Sequence, residues 1–111
     1  MVLHYKLDDM ESYHNKGIAL EKLGKHKEAI QNFDLAIKYK PDLAENYLAK
    51  GIALLSLEKN KEAKDNFNLA LKYRPNLIEE YEKIIKGLRK LGNSNMADYL
   101  EEKLQILKNN L

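Results

Sequence analysis

A fixed repeat of 34 residues constrains this chain more than any other feature of its sequence. Residues 44–77 align with residues 10–43 without a gap, and 20 of the 34 positions are identical. A period of this length is typical of proteins that stack one supersecondary unit on copies of itself. Because a single unit cannot bury its own apolar face, the sequence predicts a tandem repeat whose core forms between units.

The residues within one period indicate a pair of helices. Apolar and small residues recur at spacings of three and four, which is the pattern of one helical face. Pro41 and Pro75 close two of the units, because proline cannot continue a helix. Thr and Trp are absent and Val occurs once, so residue types that favour strands are scarce. We therefore predict an all-α chain, with helices over residues 10–23, 27–40, 44–57 and 61–74 and a further pair after them.

The chain is long enough for one domain, which we divide into a short leader and three units. The boundaries follow the period and give residues 1–9, 10–43, 44–77 and 78–111. The leader matches the end of a repeat in register, so we interpret it either as the stub of a preceding helix or as an irregular leader. The first interpretation implies that the chain is part of a longer array.

The last unit departs from the other two. Ile85 occupies the position of Gly17 and Gly51, and no proline closes the unit. A larger residue at a position of close approach predicts a wider helix pair. A divergent final repeat with a polar outer face is what ends a stack of repeats, so we expect residues 78–111 to be the C-terminal cap.

Helix N-termini are predicted from residues whose side chains accept hydrogen bonds from free backbone amides. Asp42 followed by Glu45 has the spacing of a capping box, and Asn76 followed by Glu79 repeats it. Ser94 stands just before the last predicted helix and predicts a further N-cap.

The residues that recur with the period resemble those of the tetratricopeptide repeat family. The family pattern has an aromatic, a small and an apolar residue in the first helix, then Ala, an aromatic residue and Ala in the second, and a closing proline. These are Tyr13, Gly17, Leu20, Ala29, Phe33, Ala36 and Pro41 in the first unit, and Tyr47, Gly51, Leu54, Ala63, Phe67, Ala70 and Pro75 in the second. The resemblance implies a right-handed superhelical stack of antiparallel helix pairs with about three repeats.

Charge and hydrophobicity argue against two classes of partner. The 19 basic and 17 acidic residues are mixed along the chain, so no basic stripe predicts a nucleic-acid partner. The longest apolar run is four residues, from Ile52 to Leu55, which is too short to cross a membrane. The first residues lack the pattern of a secretory signal, so we expect a cytoplasmic protein.

No pattern in the sequence predicts catalysis or a bound cofactor. The chain has no cysteine, and its three histidines, His4, His14 and His26, lack the spacing of a metal pair. The glycines stand at helix-packing or turn positions rather than in a phosphate-binding loop. We therefore expect no catalytic residues, no metal site, no cofactor and no enzymatic activity.

The family resemblance implies that the first helices of the units line a concave groove that binds a peptide segment of another protein. The corresponding residues are Glu11, His14, Ile18, Glu21 and Lys22 in the first unit, Glu45, Leu48, Ile52, Leu55 and Ser56 in the second, and Glu79, Glu82, Lys86, Arg89 and Lys90 in the third. The aliphatic members would form an apolar floor between charged edges, which is typical of an interaction site. We predict a non-catalytic scaffold that binds a partner peptide with apolar anchors.

The residues of this chain argue against one ligand that other members of the family bind. Members that clamp the C-terminal carboxylate of chaperones use Lys, Asn and Arg side chains. The positions correspond here to His14, Ile18, Ala49, Glu79 and Lys83. Only the last is a certain cation, and the acidic residue has the wrong charge. We therefore expect no binding of an Asp/Glu-rich chaperone tail.

Two alternatives to a peptide groove remain open. In one, Ile52 and Leu55 pack against neighbouring units or a second copy instead of a peptide, and the stub at residues 1–9 leaves the first pair without a complete neighbour. An open end of this kind favours a self-assembling structural module that forms a homo-oligomer through open repeat ends. The other alternative is RNA binding by a related helical-repeat mode, which requires a basic face.

Overall fold

The computed structural model describes residues 2–111, with side chains from Asp9 onward, and contains six α-helices. In chain order they are α1 (Val2–Lys22), α2 (His26–Tyr39), α3 (Ala44–Ser56), α4 (Asn60–Tyr73), α5 (Leu77–Lys90) and α6 (Ser94–Asn109). No strand is present over residues 2–111. The predicted all-α architecture is confirmed, and the bounds of α2, α3 and α4 lie within one residue of those predicted.

The first helix is longer than predicted. α1 begins at Val2 rather than near Met10, so no break separates residues 2–9 from the first unit. Leu7 stands one period before Pro41, so the residue that ends the helix in later units is missing here. The match between the side chains of the leader and a preceding helix falls on residues 1–8, which lie outside the described side chains.

The turn inside each unit requires a left-handed backbone at one position. Gly24 and Gly92 adopt φ values of 79° and 78°, which glycine tolerates because it has no Cβ. Glu58 occupies the same position in the second unit, with φ of 61°. The repeat therefore keeps its turn geometry where the sequence has no glycine.

The tyrosines that recur with the period pack within the repeat. Tyr13 stacks on Tyr39 with ring centroids 5.8 Å apart, and Tyr47 stacks on Tyr73 at 5.4 Å. The Tyr47 hydroxyl also donates to the carbonyl oxygen of Pro41 at 2.5 Å, which ties the second unit to the proline that closes the first. These four aromatic rings therefore contribute to the packing of the first two units.

Small residues allow the second unit to pack closely on the first. Ala49 and Ala53 of α3 form a buried cluster with Ala29 and Phe33 of α2. Ile30 of α2 packs against this cluster and also against a second cluster of buried residues. We call this second cluster the main core; it consists of Ala44, Tyr47, Leu48, Leu54, Ala63, Phe67, Ala70, Leu77 and Leu107. Burial of these apolar side chains stabilises the stack at roughly 25 cal/mol for each Å² removed from water.

The third unit lacks the residues that make this interface. Lys83 of α5 stands at the position of Ala49, and Lys64 of α4 stands at the position of Ile30. Burying an unpaired ammonium group is strongly unfavourable. Within the described part of the chain, α5 accordingly does not run along α4 as α3 runs along α2.

The last helix packs directly on the second unit. α6 contacts α3, and Leu107 is fully buried in the main core together with Ala44 and Leu48 of α3. Helix α6 therefore occupies the surface that regular stacking would leave to α5.

The third helix pair is packed less closely than the first two, as its sequence predicts. Ile85 is buried against Ala97 and Leu104 of α6. Glu101 stands at the position of Phe33, so the pair has neither the glycine nor the aromatic ring of the earlier units. Ile85 instead fills part of the space between α5 and α6.

The predicted capping boxes are wrong. The N-cap of α3 is Leu43, one residue after Asp42, and no side chain caps this helix. Glu45 pairs with Arg74 at the end of α4 instead of reaching back to its own N-terminus. Asn76 is the N-cap of α5 but makes no side-chain capping bond.

The N-cap of α6 is one residue earlier than predicted. Ser94 is the first helical residue, and Asn93 caps the helix in its place. The Asn93 Oδ1 accepts a hydrogen bond from the amide of Met96 at 3.3 Å, which satisfies one free N–H of the first turn.

Candidate functional site

A cavity of about 200 Å³ lies where α1, α3 and α6 meet. Its lining combines apolar side chains with charged side chains of both signs. The apolar part is formed by Ile18, Phe33, Ala49, Ile52 and Ile106, and the polar part by Glu21, Lys22, Tyr99, Glu102 and Lys103. An apolar depression with a few polar groups around it is the usual form of a binding site.

The structure divides the predicted apolar floor in two. Four of the predicted groove residues line the cavity, namely Ile18, Glu21, Lys22 and Ile52. Leu48 is only 2% exposed in the main core, and Leu55 is half-buried against that core. They are not at the cavity surface because Leu107 of α6 packs into the same cluster.

Glu11, His14 and Glu45 lie in a second depression, near the start of α3. The Nδ1 of His14 donates to the Oδ1 of the buried Asn46 at 2.7 Å, which joins α1 to α3. Glu45 pairs with Arg74. Two of these three predicted residues are therefore held by bonds within the chain and do not line the cavity.

The predicted residues of the third unit do not reach the cavity either. Glu82, Lys86 and Arg89 line a separate depression between α5 and α6. The hydrogen bonds that Arg89 donates to Glu101 and then to Asp98 raise the pKa of Arg89, and its guanidinium lies 3.2 Å from the Asp98 carboxylate. Lys108 donates to Glu82 at 3.1 Å. The prediction of one groove across three units fails here because α5 does not stack on α4.

Helix α6 supplies the third wall of the cavity, which the sequence analysis missed. Its lining residues are spaced by three and four and share one helical face: Tyr99, Glu102, Lys103 and Ile106. This spacing is visible in the sequence. The repeat register, however, assigns α6 to the outer side of the stack, as the second helix of its unit.

Glu21 is fixed at the rim by two hydrogen bonds. The Nδ1 of His26 donates to its Oε1 at 2.6 Å, and the Ser56 hydroxyl donates to its Oε2 at 3.1 Å. The carboxylate of this α1 residue thus joins the first residue of α2 to the last residue of α3. The contact links α1 to α3, the two helices that supply Ile18 and Ile52 to the cavity floor.

Two lysines of the rim converge on one aromatic ring. The Nζ of Lys22 lies 5.3 Å from the centroid of the Tyr99 ring, and the Nζ of Lys103 lies 4.5 Å from it. Both distances are within the range of a cation–π interaction. Among the side chains that the structure describes, neither lysine has an ion-pair partner, so their charge is available to a ligand.

The described side chains bring no reactive group into the cavity. From Asp9 onward, no three His, Asp or Glu side chains are grouped so that they could hold a metal ion. Within residues 2–111, none of the helices combines the length and apolarity that a bilayer span requires. The arrangement is suited to binding apolar groups beside charged ones.

Family comparison agrees with the observed architecture. Residues 11–43 match one family model described as tetratricopeptide repeat, and residues 44–77 match a second model with the same description. The two matches coincide with the two regular helix pairs. The comparison with curated proteins found no match.

Several solved structures have a similar fold. One is described as the second TPR of Spaghetti (RPAP3) bound to HSP90 peptide SRMEEVD; it is 21% identical, with a TM-score of 0.66 over 96% of this chain and 97% of that one. The first TPR of the same protein, bound to the same peptide, is 21% identical, with a TM-score of 0.64 over 95% and 85% of the two chains. A crystal structure of MamA is 20% identical, with a TM-score of 0.61 over 97% and 63%. At these identities the similarity is one of fold.

Proposed function

The chain belongs to the tetratricopeptide repeat family, and on that premise we propose that it is a non-catalytic scaffold that binds a peptide segment of a partner protein. The observation that carries the proposal is the cavity between α1, α3 and α6, with its apolar floor and charged rim. Apolar depressions bordered by polar residues are characteristic of interaction sites.

The size of the cavity favours a peptide side chain over a small-molecule cofactor. Its volume is about 200 Å³, whereas pockets for small molecules usually enclose roughly 300–1,000 Å³. Ile18 and Ile52 are half-buried on its floor and would gain contacts from an apolar side chain. We therefore propose that one aliphatic or aromatic side chain of the partner is the anchor.

The rim favours an acidic group beside this anchor. Lys22 and Lys103 both line the cavity within cation–π distance of Tyr99, and both are without an ion pair among the described side chains. Of the two rim carboxylates, Glu21 is already satisfied by His26 and Ser56, which leaves Glu102 as the more available one. A peptide that places a carboxylate next to its apolar residue would meet both lysines.

The residues do not support binding of an acidic chaperone tail, although two similar structures contain such a peptide. Ile18 and Ala49 line the apolar floor, and His14 is bonded to Asn46. Lys83 is exposed on α5, which does not line the cavity. Lys83 is therefore the one certain cation among the five positions of the carboxylate clamp, and it is not assembled with Ile18 and Ala49 at the cavity.

The proposal is tested with random peptides displayed on phage. Peptides selected on the wild-type chain are then measured by fluorescence polarisation. We expect them to share an apolar residue and to bind Ile52→Glu at least about tenfold more weakly, because the variant places a carboxylate on the apolar floor. Leu35→Glu is the matched control and should bind like the wild type, since Leu35 of α2 is 38% exposed and lies outside the cavity.

Circular dichroism should give the same helical content for both variants. Selected peptides that bind Ile52→Glu as tightly as the wild type would remove the cavity from the proposal. Failure to select any peptide would contradict peptide binding itself.

A further inference from the structure

Helix α5 presents an apolar surface that the chain does not cover. Ile84 is 50% exposed and Leu91 is 84% exposed, and the intervening Leu88 is half-buried. Together with Gly87, these residues are spaced by three and four and lie on one side of the helix. We call this surface, formed by Ile84, Gly87, Leu88 and Leu91, the α5 face.

The α5 face is exposed because of how the third unit departs from the repeat. In the second unit the residue equivalent to Ile84 is Lys50, whose ammonium pairs with Asp34 of α2 at 2.7 Å. The position thus faces the preceding unit in a regular stack. Since α5 does not run along α4, the aliphatic side chain at this position is left half exposed.

Gly87 is not required by the fold of the single chain. A Cβ atom built on it meets nothing within 4 Å, whereas a Cβ on Gly17 or Gly51 would meet a phenylalanine ring. Glycine is the least favourable helix residue after proline. A glycine in the middle of an exposed helix face is explained if another helix approaches closely at that point.

The charges of α5 are divided between its two halves. Glu79 and Glu80 stand in the first half, and Lys83 and Lys90 stand in the second, whereas Glu82, Lys86 and Arg89 line the depression against α6. Two copies of such a helix attract each other when they are antiparallel, because each acidic half then lies beside the basic half of the other copy. This self-complementarity favours a second copy of the chain over an unrelated partner.

We propose that two copies of this protein associate through the α5 face, with the two α5 helices antiparallel about a twofold axis. Ile84 of each copy packs into the space above Gly87 of the other, which is the isologous contact of a closed dimer. Glu80 of each copy, whose carboxylate lies 3.6 Å from the Nε of Arg74 in its own chain, also lies beside Lys90 of the other. The interface is distinct from the cavity between α1, α3 and α6 and does not depend on the proposed peptide binding.

The interface is small, so the dimer should dissociate on dilution. A single helix pair buries less surface than a standard protein interface, and its ion pairs are weakened by salt. Sedimentation velocity of the full chain over a wide range of concentration should show a monomer–dimer equilibrium. The equilibrium should shift toward monomer when the salt concentration is raised.

Leu91→Glu and Leu23→Glu form a matched pair of variants. Both leucines occupy the same position of the repeat and are exposed, by 84% and 72%, so neither change should unfold the chain. We expect Leu91→Glu to weaken dimerisation at least about tenfold, because it buries a carboxylate in an apolar contact. Leu23→Glu should leave it unchanged.

A charge exchange tests the antiparallel orientation. Glu80→Lys and Lys90→Glu should each weaken the dimer, and the double variant should recover most of the lost affinity because the ion pair is restored with its signs reversed. A wild-type chain that stays monomeric at every concentration would overturn the proposal. A dimer that survives Leu91→Glu, or a double variant no better than the single ones, would overturn it as well.

Discussion

A Cβ atom built on Gly17 would lie 2.5 Å from the Cε1 of Phe33, and Gly51 stands in the same relation to Phe67. Both phenylalanine rings are fully buried, so neither can move aside without disturbing its neighbours. The glycine of the first helix and the aromatic ring of the second thus form one close packing contact, and the sequence repeats this contact after 34 residues.

Gly17→Ala should destabilise the chain even though alanine favours helix. The added methyl group overpacks a closed site, and we expect the free energy of unfolding to fall by about 1–3 kcal/mol. Gly87→Ala is the control, because its Cβ meets nothing within 4 Å; the same change there should raise the free energy of unfolding of the monomer by about 1 kcal/mol. Urea denaturation at low protein concentration measures both. Equal free energies of unfolding for Gly17→Ala and Gly87→Ala would contradict the close packing of Gly17 against Phe33.

Two asparagines at helix N-termini provide a test of capping. Asn93 and Asn76 are the N-caps of α6 and α5, but only the Asn93 side chain accepts a hydrogen bond, from Met96. Asn93→Ala should therefore lower the free energy of unfolding by about 1 kcal/mol, whereas Asn76→Ala should have a smaller effect. Thermal denaturation of the two variants compares them directly. A larger loss for Asn76→Ala would show that the capping bonds are assigned to the wrong helix.

Tyr81 makes the free energy of unfolding depend on pH in the alkaline range. Burial, followed by the negative charges of Glu45 and of the ionised Tyr99 hydroxyl, raises the pKa of Tyr81 from 10.0 to about 12, with the charge of Arg74 acting in the opposite direction. The contribution of the neutral phenol is complete below pH 10, where both folded and unfolded chains are protonated. As the pH rises from 10 to about 12, only the unfolded chain loses its proton, so stability falls by up to about 1.4 kcal/mol per pH unit.

The measurement is denaturation at several alkaline pH values, with Tyr81→Phe as the comparison. The variant cannot ionise at this position, so its stability should fall less steeply over the same interval. Parallel curves for wild type and Tyr81→Phe would show that Tyr81 is not the group responsible.

The sequence predicts the first two units well because their structure is determined by local repetition. Gly17 and Phe33 recur as Gly51 and Phe67, and Pro41 recurs as Pro75, so one unit predicts the other. The capping predictions failed at a finer scale. A spacing of three between an acceptor and Glu45 does not determine whether that glutamate turns back to its own helix or pairs with a distant arginine.

The third unit could not be predicted in the same way, because its position depends on contacts between distant parts of the chain. By the repeat register, Leu107 corresponds to Tyr39 and Tyr73, which are 37% and 41% exposed. Leu107 is fully buried instead, because α6 packs on α3. Equivalent residues of two units have the same surroundings only where the two units stack in the same way. Lys83 stands where the second unit has Ala49, and the third unit does not stack like the second. The groove predicted across α5 is therefore not formed.

Leu107→Ala tests whether α6 belongs to the main core. Its side chain is clustered with Leu48 and Ala44 of α3, so its truncation should leave a cavity and lower the free energy of unfolding by about 2–5 kcal/mol. Leu111→Ala is the matched control, since Leu111 is exposed and should contribute less than about 0.5 kcal/mol. Chemical denaturation of both variants gives the comparison. If α6 occupied the outer position that the register assigns, Leu107 would be partly exposed like the two tyrosines, and both truncations would have similarly small effects. A large loss confined to Leu107→Ala would instead place α6 against α3, where it forms the third wall of the cavity.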